Sequence, residues 1–227
     1  MEPQNLPAFS VASLDLQDVG LVYQLHKAAV AAVQNPDAVR PDTPPFFEGV
    51  FQDGGEIWGL FDGEGLAAYG VLRPELAREH DRQGLQRDVG ADEPMRVLDG
   101  SATRPSLWGK GLQRHVVDMR VKRAGDLGAD HVIAKAAPRN VPSMRNLLRC
   151  GFAIVGLVRK PYGWRYVHHR PVRAAVAFEG AGEWQPATSI KAAEERFLLG
   201  EGAVACDAPQ QGEAQLKFAP LVRPSHA

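Results

Sequence analysis

The sequence predicts a mixed β-sheet with helices packed against it, in the α/β or α+β class, and three observations carry that prediction. Apolar residues recur at helical spacing in some segments, and in others they form short runs bounded by glycine, proline and aspartate. Asp62-Gly63-Glu64-Gly65 joins two such runs as a hairpin. The elements then read strand, helix, three strands, helix, strand, helix and two strands, the alternation of a sheet covered by helices.

Residues 8–14 read as a strand, and Asp15 is placed to cap the next helix. Val19, Val22, Leu25, Ala29 and Val33 mark a helix over about 17–33, stopped by Asn35-Pro36-Asp37. Pro41, Pro44 and Pro45 rule out a regular strand over 40–50, and Phe46, Phe47, Val50 and Phe51 indicate a short apolar helix or packed loop. Strands come next at 56–61, 66–72 and 95–103, separated after the hairpin by a polar stretch over 74–94 that exceeds an ordinary connection. Within it, residues 78–93 read either as part of a substrate lid or as a solvated loop. Residues 109–128 read as a loop entering a helix, with Leu112, Val116, Met119, Arg123 and Leu127 on one stripe, and Lys122-Arg123 read as a solvated helix face. A strand at 131–136, a helix at 142–149 ended by Gly151, and a hairpin of 153–158 and 165–172 around Pro161-Tyr162-Gly163 complete the pattern. From about 176 the chain changes character, with a helix at 190–199 and strands near 202–206 and 214–219.

The chain has 227 residues, 44 % hydrophobic and 23 % charged, with a formal net charge of -1. That size suits one domain over 1–175 with a small extension over 176–227. The extension has three open roles: completing the sheet, covering an acceptor, or making a dimer contact. The balanced charge argues against nucleic acid or a membrane as partner. Two cysteines, Cys150 and Cys206, fit a reducing compartment. The start Met-Glu-Pro-Gln-Asn lacks a basic and apolar leader, so a cytoplasmic location is expected. No metal site is expected: His168 and His169 alternate across a strand, His115 reads as a helix-surface residue and His131 as a strand start.

The segment Thr103-Arg104-Pro105-Ser106-Leu107-Trp108-Gly109-Lys110-Gly111-Leu112-Gln113 carries the chemistry. Gly109 and Gly111 allow a tight turn and close approach of a ligand to backbone. The helix behind them offers unpaired N–H groups and the positive end of its dipole, which suit a pyrophosphate. Downstream lies Asn140-Val141-Pro142-Ser143, followed at the helix end by Cys150-Gly151-Phe152. Alone, Asn140 and Ser143 read as helix capping residues.

Together these two segments resemble the GNAT superfamily of N-acetyltransferases, whose coenzyme motif is Gln/Arg-x-x-Gly-x-Gly/Ala and whose later helix begins Asn-x-x-Ser. The resemblance spans roughly residues 8–173. It implies a mostly antiparallel mixed sheet with one splayed strand pair, flanked by helices. Trp108 and Gln113 depart from the motif, standing where Gln or Arg and Gly or Ala are common. The resemblance assigns acetyl-CoA, or another acyl-CoA, as co-substrate. It places Trp108, Gly109, Lys110, Gly111, Leu112 and Gln113 at its phosphates, Asn140 and Ser143 along its arm, and backbone N–H groups near Ala102 and Thr103 at the thioester.

The same resemblance implies direct attack of an amine on the thioester. Asp99 is the expected base, at a position where some relatives carry glutamate. The tyrosine that many relatives use to protonate the leaving thiolate is replaced by Leu147, so Tyr162 is the expected acid, with Cys150 a third possibility. The expected activity is acetylation of a primary amine on a small molecule such as an amino acid or amino metabolite. Acetylation of a protein N-terminus or lysine, and a non-catalytic acyl-CoA sensor, are the alternatives. A homodimer is compatible with all three.

Overall fold

The structure is a computed structural model and describes residues 8–35, 38–87, 89–90, 92–209 and 212–222. The stop signal at Pro36-Asp37 lies outside the described residues. The elements are β1 (Ser10–Leu14), α1 (Val19–Ala32), α2 (Pro44–Gln52), β2 (Glu56–Asp62), β3 (Gly65–Pro74), the one-turn α3 (Arg78–Asp81), β4 (Met95–Thr103), α4 (Leu112–Asp126), β5 (His131–Ala136), α5 (Val141–Arg149), β6 (Ala153–Lys160), β7 (Gly163–Pro171), β8 (Glu183–Pro186), α6 (Ile190–Leu198), β9 (Glu201–Asp207) and β10 (Gln215–Pro220). Among the described residues ten strands form one sheet in the order β1-β2-β3-β4-β5-β7-β6-β9-β10-β8.

Local chemistry explains the boundaries. Asp15 and Asp18 form a reciprocal capping box that launches the first helical turn. Pro44 sits in the first turn of α2, where its missing N–H costs nothing. Gly65, at φ 104°, closes the β2–β3 hairpin. Gly151, at φ 82°, ends α5 as the sequence predicts.

Two helical layers cover the middle of the sheet. On the front, Val22 and Leu25 of α1 and Phe47 of α2 pack against Ile57, Tyr69 and Val71. On the back, Val117 and Val121 of α4 and Leu147 of α5 pack against Leu72, Leu98 and Val132. The buried stripe of α4 is Leu112, Val116, Val117, Arg120, Val121 and Ala124. Leu112 and Val116 of the predicted stripe are among them, and Arg120 is the one charged residue of α4 that is buried. Arg123 is not simply solvated: it makes a bidentate pair with Glu56 of β2.

The β4–β5 pair is the parallel one, and it is short. Its register runs from Met95↔His131 to Leu98↔Ala134 and ends there. β5 continues beside β7 through Ala136↔Tyr166, while β4 stays with β3 to Thr103↔Ala68. The two strands thus splay beyond Leu98 and Ala134. At the same point Gly70 pairs with Ser101 and Leu72 with Leu98. Asp99 and Gly100 together face Val71, a β-bulge at the mouth of the splay.

The 74–94 connection is tied to the sheet. Asp81 is buried and pairs with Arg73 of β3 at 2.7 Å. Gln86 donates to the Val155 carbonyl. Gly84 lies against β6 so closely that a Cβ there would collide with the Leu157 carbonyl oxygen.

The C-terminal segment completes the sheet. β9 joins β6 through Ile154↔Ala203, and α6 adds Ala193 and Phe197 to a core with Ile154, Leu216 and Phe218. β8 escaped sequence reading because it is a four-residue edge strand whose burial does not alternate.

Candidate active site

A cleft passes through the sheet where β4 and β5 separate. Its back mouth is lined by Gln113 and Val117 of α4 and by Ser143, Asn146 and Leu147 of α5. Its front mouth is lined by Arg40, Asp42, Arg73, Lys135, Lys160 and Tyr162.

At the back, Gly109 and Gly111 adopt φ 79° and 84°, a region that costs an ordinary residue about 1–2 kcal/mol. A Cβ on Gly109 would project into open space. The N–H groups of Gly109, Gly111, Leu112 and Gln113 have no acceptor among the described residues. Four free donors at the start of the fifteen-residue α4 form a cradle that fits a pyrophosphate. Gln113 does not obstruct it. Its side chain turns back to β4, donating to Ser101 Oγ at 2.5 Å and accepting from Thr103 Oγ1 at 3.2 Å. Trp108 donates through Nε1 to the Thr103 carbonyl at 2.8 Å, so the indole holds the loop against the end of β4. Lys110 is exposed beside the loop.

Strand geometry corrects one expected thioester contact. Arg104 N–H donates to the Ala67 carbonyl at 2.8 Å, and Ala102 lies opposite Tyr69. Alternation along the strand directs the Ala102 N–H toward β3. The N–H groups of Ser101 and Thr103 point the other way, into the gap that β5 has left. Of the two N–H groups expected at the thioester, that of Thr103 faces the gap and that of Ala102 does not, with Ser101 facing it instead.

Asn140 caps α5, its Oδ1 accepting from the Ser143 N–H at 3.2 Å. Its Nδ2 donates to the Ala38 carbonyl at 3.2 Å, so one side chain also ties the segment before α2 to the cleft. His26 holds the next turn of that segment. Its Nε2 accepts from the Asp42 N–H at 2.9 Å, and its Nδ1 lies 2.8 Å from the Tyr69 hydroxyl. Burial pushes the His26 pKa down, and a neutral ring with the proton on Nδ1 satisfies both contacts.

Charged groups converge at the front mouth. The expected base, Asp99, accepts from Arg73 Nε at 2.9 Å and lies 3.4 Å from Arg40 Nη2. Both of its oxygens face guanidinium groups, which occupy the lone pairs that a base needs. Asp42 differs. Arg40 Nε donates to its Oδ1, while Oδ2 has no donor among the described residues and lies 3.4 Å from where a Gly100 Cβ would stand. Burial pushes the Asp42 carboxyl above its ordinary pKa, and Arg40 opposes the rise. Tyr162, at the tip of the β6–β7 hairpin, is flanked by Arg165 and Arg40, whose guanidinium carbons lie 4.7 and 5.9 Å from its ring centre.

Sequence reading missed His26, Arg40, Asp42, Lys135 and Lys160. Lys135 carried a usable signal, a lysine interrupting the apolar run Val132-Ile133-Ala134. Arg40 and Asp42 carried none, because only the fold brings their loop over β4. Cys150, His168 and His169 lie outside the cleft lining. Cys150 belongs to the back core, where burial raises its thiol to about 12. His168 and His169 are both buried on opposite faces of β7, and His169 Nε2 lies 2.9 Å from His131 Nδ1.

Comparison with known proteins gives a consistent result. The family described as "Acetyltransferase (GNAT) family" matches residues 22–152. No curated protein sequence matches the chain. Among solved structures, a putative phosphinothricin N-acetyltransferase is similar at TM-score 0.56 and 16% identity, over 73% of this chain and 99% of that one. A ribosomal-protein-alanine N-acetyltransferase from Escherichia coli is similar at TM-score 0.55 and 16% identity, over 78% of this chain and 97% of that one. A spermidine N-acetyltransferase chimera from Vibrio cholerae gives 0.52 and 12%, over 73% and 96%.

Proposed function

The chain belongs to the acetyltransferase (GNAT) family and is an acetyl-CoA-dependent acyltransferase; we propose that its acceptor is the primary amine of a small molecule such as an amino acid or amino metabolite. One observation carries this reading. The front mouth is bridged above the splay, where Arg40, from the segment before α2, reaches over the ring of Tyr162 on the β6–β7 hairpin. A mouth spanned this way suits a small amine better than an extended chain or a protein surface.

Acetyl-CoA supplies a thioester, whose carbonyl gathers negative charge when an amine attacks it. The Ser101 and Thr103 N–H groups point into the gap where that charge forms, and preorganised donors stabilise it. The free N–H groups of Gly109, Gly111, Leu112 and Gln113 hold the phosphates at the back, which sets the reach of the arm. Asn140 and Ser143 border the path between. At the front an ammonium must lose a proton before it attacks. Asp42, with a free oxygen and a raised pKa, is the better acceptor, and Asp99 holds Arg73 and Arg40 in place around it. Tyr162 is the proposed donor to the leaving thiolate.

The test is to incubate purified protein with acetyl-CoA and a panel of small amines, following free thiol. Release that depends on particular amines supports the reading. Labelling of lysate proteins alone would replace it with protein acetylation. Coenzyme binding without turnover on either panel would leave a sensor.

A further inference from the structure

The front mouth holds more positive charge than its own ion pairs account for. Four cations line it, Arg40, Arg73, Lys135 and Lys160, against the two carboxylates Asp42 and Asp99. This stands out in a chain whose net charge is -1. Arg40 is matched by Asp42 and Asp99, and Arg73 by Asp99 and Asp81.

Lys135 and Lys160 are not matched. Lys135 Nζ donates to the carbonyl oxygens of Asp81 at 2.8 Å and His80 at 3.2 Å. Lys160 Nζ lies 3.1 Å from His80 Nε2 and 3.0 Å from Gln83 Oε1. None of these partners is a carboxylate, and no carboxylate among the described residues forms an ion pair with either lysine, the Asp81 charge acting on both only at longer range. Both ammonium groups converge on one residue, His80. Burial first, and then the charge of Lys160, pull Lys135 down to about 8. A desolvated ammonium at Lys135 facing the like charge of Lys160 is costly, and an anion between them relieves the cost.

The position is also apt. Lys135 follows Ala134, the last residue of the parallel pair, so it stands at the point where the strands part. Lys160 ends β6, two residues before Tyr162.

The geometry points to an anion subsite formed by Lys135 and Lys160, in which a carboxylate or phosphate of the acceptor is held while its amine faces Asp42 at the splay. This rests on the small-amine reading above and names its substrate class: an amine that also carries a negative group. A polyamine would meet the same two cations and be repelled.

The experiment offers matched amines with acetyl-CoA: amino acids, their uncharged carboxamides, and phosphoethanolamine. Thiol release is followed for the natural protein, Lys160→Gln, Lys135→Gln and the charge-conserving Lys160→Arg. The natural protein should favour the anionic member of a pair. Each glutamine variant should lower the anionic-to-neutral ratio of kcat/KM by ~10-fold, the scale of a lost charged hydrogen bond, and Lys160→Arg should retain most of the preference. Preference for amino acids identifies the anion as carboxylate, and preference for phosphoethanolamine as phosphate. If Lys135→Gln does not fold, Lys160→Gln on the partly exposed hairpin still decides. Carboxamides used as well as acids, or a ratio unmoved in Lys160→Gln, would overturn the subsite and leave the small-amine reading standing. Failure of every amine, with labelling of lysate proteins, would remove both.

Discussion

Arg120, fully enclosed beneath the back of the sheet, donates through Nη1 to the backbone carbonyl of Asp99 at 3.3 Å. The same nitrogen reaches the Val71 carbonyl at 2.9 Å, so one guanidinium holds both sides of the bulge from which the splay opens. Burial pulls the Arg120 pKa down to about 10, which still leaves it charged at neutral pH. Gly70 makes room for it, since a Cβ there would lie 2.6 Å from Arg120 Nε and 2.5 Å from Val116 Cγ1.

Arg120→Met is therefore expected to harm catalysis more than folding. Replacing a buried charge with an apolar chain of similar size is often close to neutral for stability, but it releases the bulge that aims the Ser101 N–H. We expect kcat to fall about tenfold with a modest change in melting temperature, measured by thiol-release kinetics beside thermal unfolding. Gly70→Ala overpacks the same place and should destabilise by about 1–3 kcal/mol, read from urea unfolding.

Gly111→Ala should weaken coenzyme binding. Its left-handed backbone costs an alanine about 1–2 kcal/mol, and the loop can relieve that strain only by moving the donors of the cradle. Calorimetric titration with coenzyme A should show Kd raised about tenfold. Unchanged affinity would place the phosphates elsewhere.

The two front carboxylates should separate in their pH profiles. Asp42 must be ionised to take a proton, and burial raises its pKa, so kcat/KM should decline as pH falls through that raised value. Asp42→Asn should remove this acid limb and cost about 100-fold or more. Asp99→Asn should lower the rate while keeping the limb. The reverse pattern would restore Asp99 as the base.

Asn140→Ala should act at two places. Loss of the cap on α5 costs about 1 kcal/mol, measurable by urea unfolding. Loss of the bond to Ala38 frees the segment that carries Arg40 and Asp42, so KM for the acceptor should rise while Kd for coenzyme A changes less.

Acid should unfold the protein through β7. His168 and His169 are buried, and burial holds them at about 4 and about 3. Unfolded histidine titrates near 6.5, so below that pH the unfolded chain binds protons that the folded chain does not. Stability from these groups is complete above about pH 6.5 and is lost as pH falls toward 4. The urea midpoint should drop across that window, and His169→Phe should flatten the fall.

The sequence was informative wherever chemistry is local. Asp15, the Asp62–Gly65 turn, the α4 entrance at Gly109 and Gly111, and the Asn140 cap all act within a few residues, so composition and spacing expose them. The two segments proposed to hold the coenzyme could be read for the same reason, each being a loop that enters its own helix. Asp99 and Tyr162 were legible as residues near the cleft, but their ion pairs and ring contacts were not.

The class of fold, the acyl-CoA donor and the loop proposed to receive its phosphates are therefore legible in the order of residues alone. Packing decides that Ser101 and not Ala102 turns its N–H into the gap, because pairing with β3 sets that phase. Packing also decides that Asp42 stands over Gly100 and that Lys135 and Lys160 meet at His80. Those residues come from segments far apart in the chain, and nothing in their own neighbourhoods records the contact. The acceptor side is assembled by tertiary contacts, whereas the donor side is written in consecutive residues.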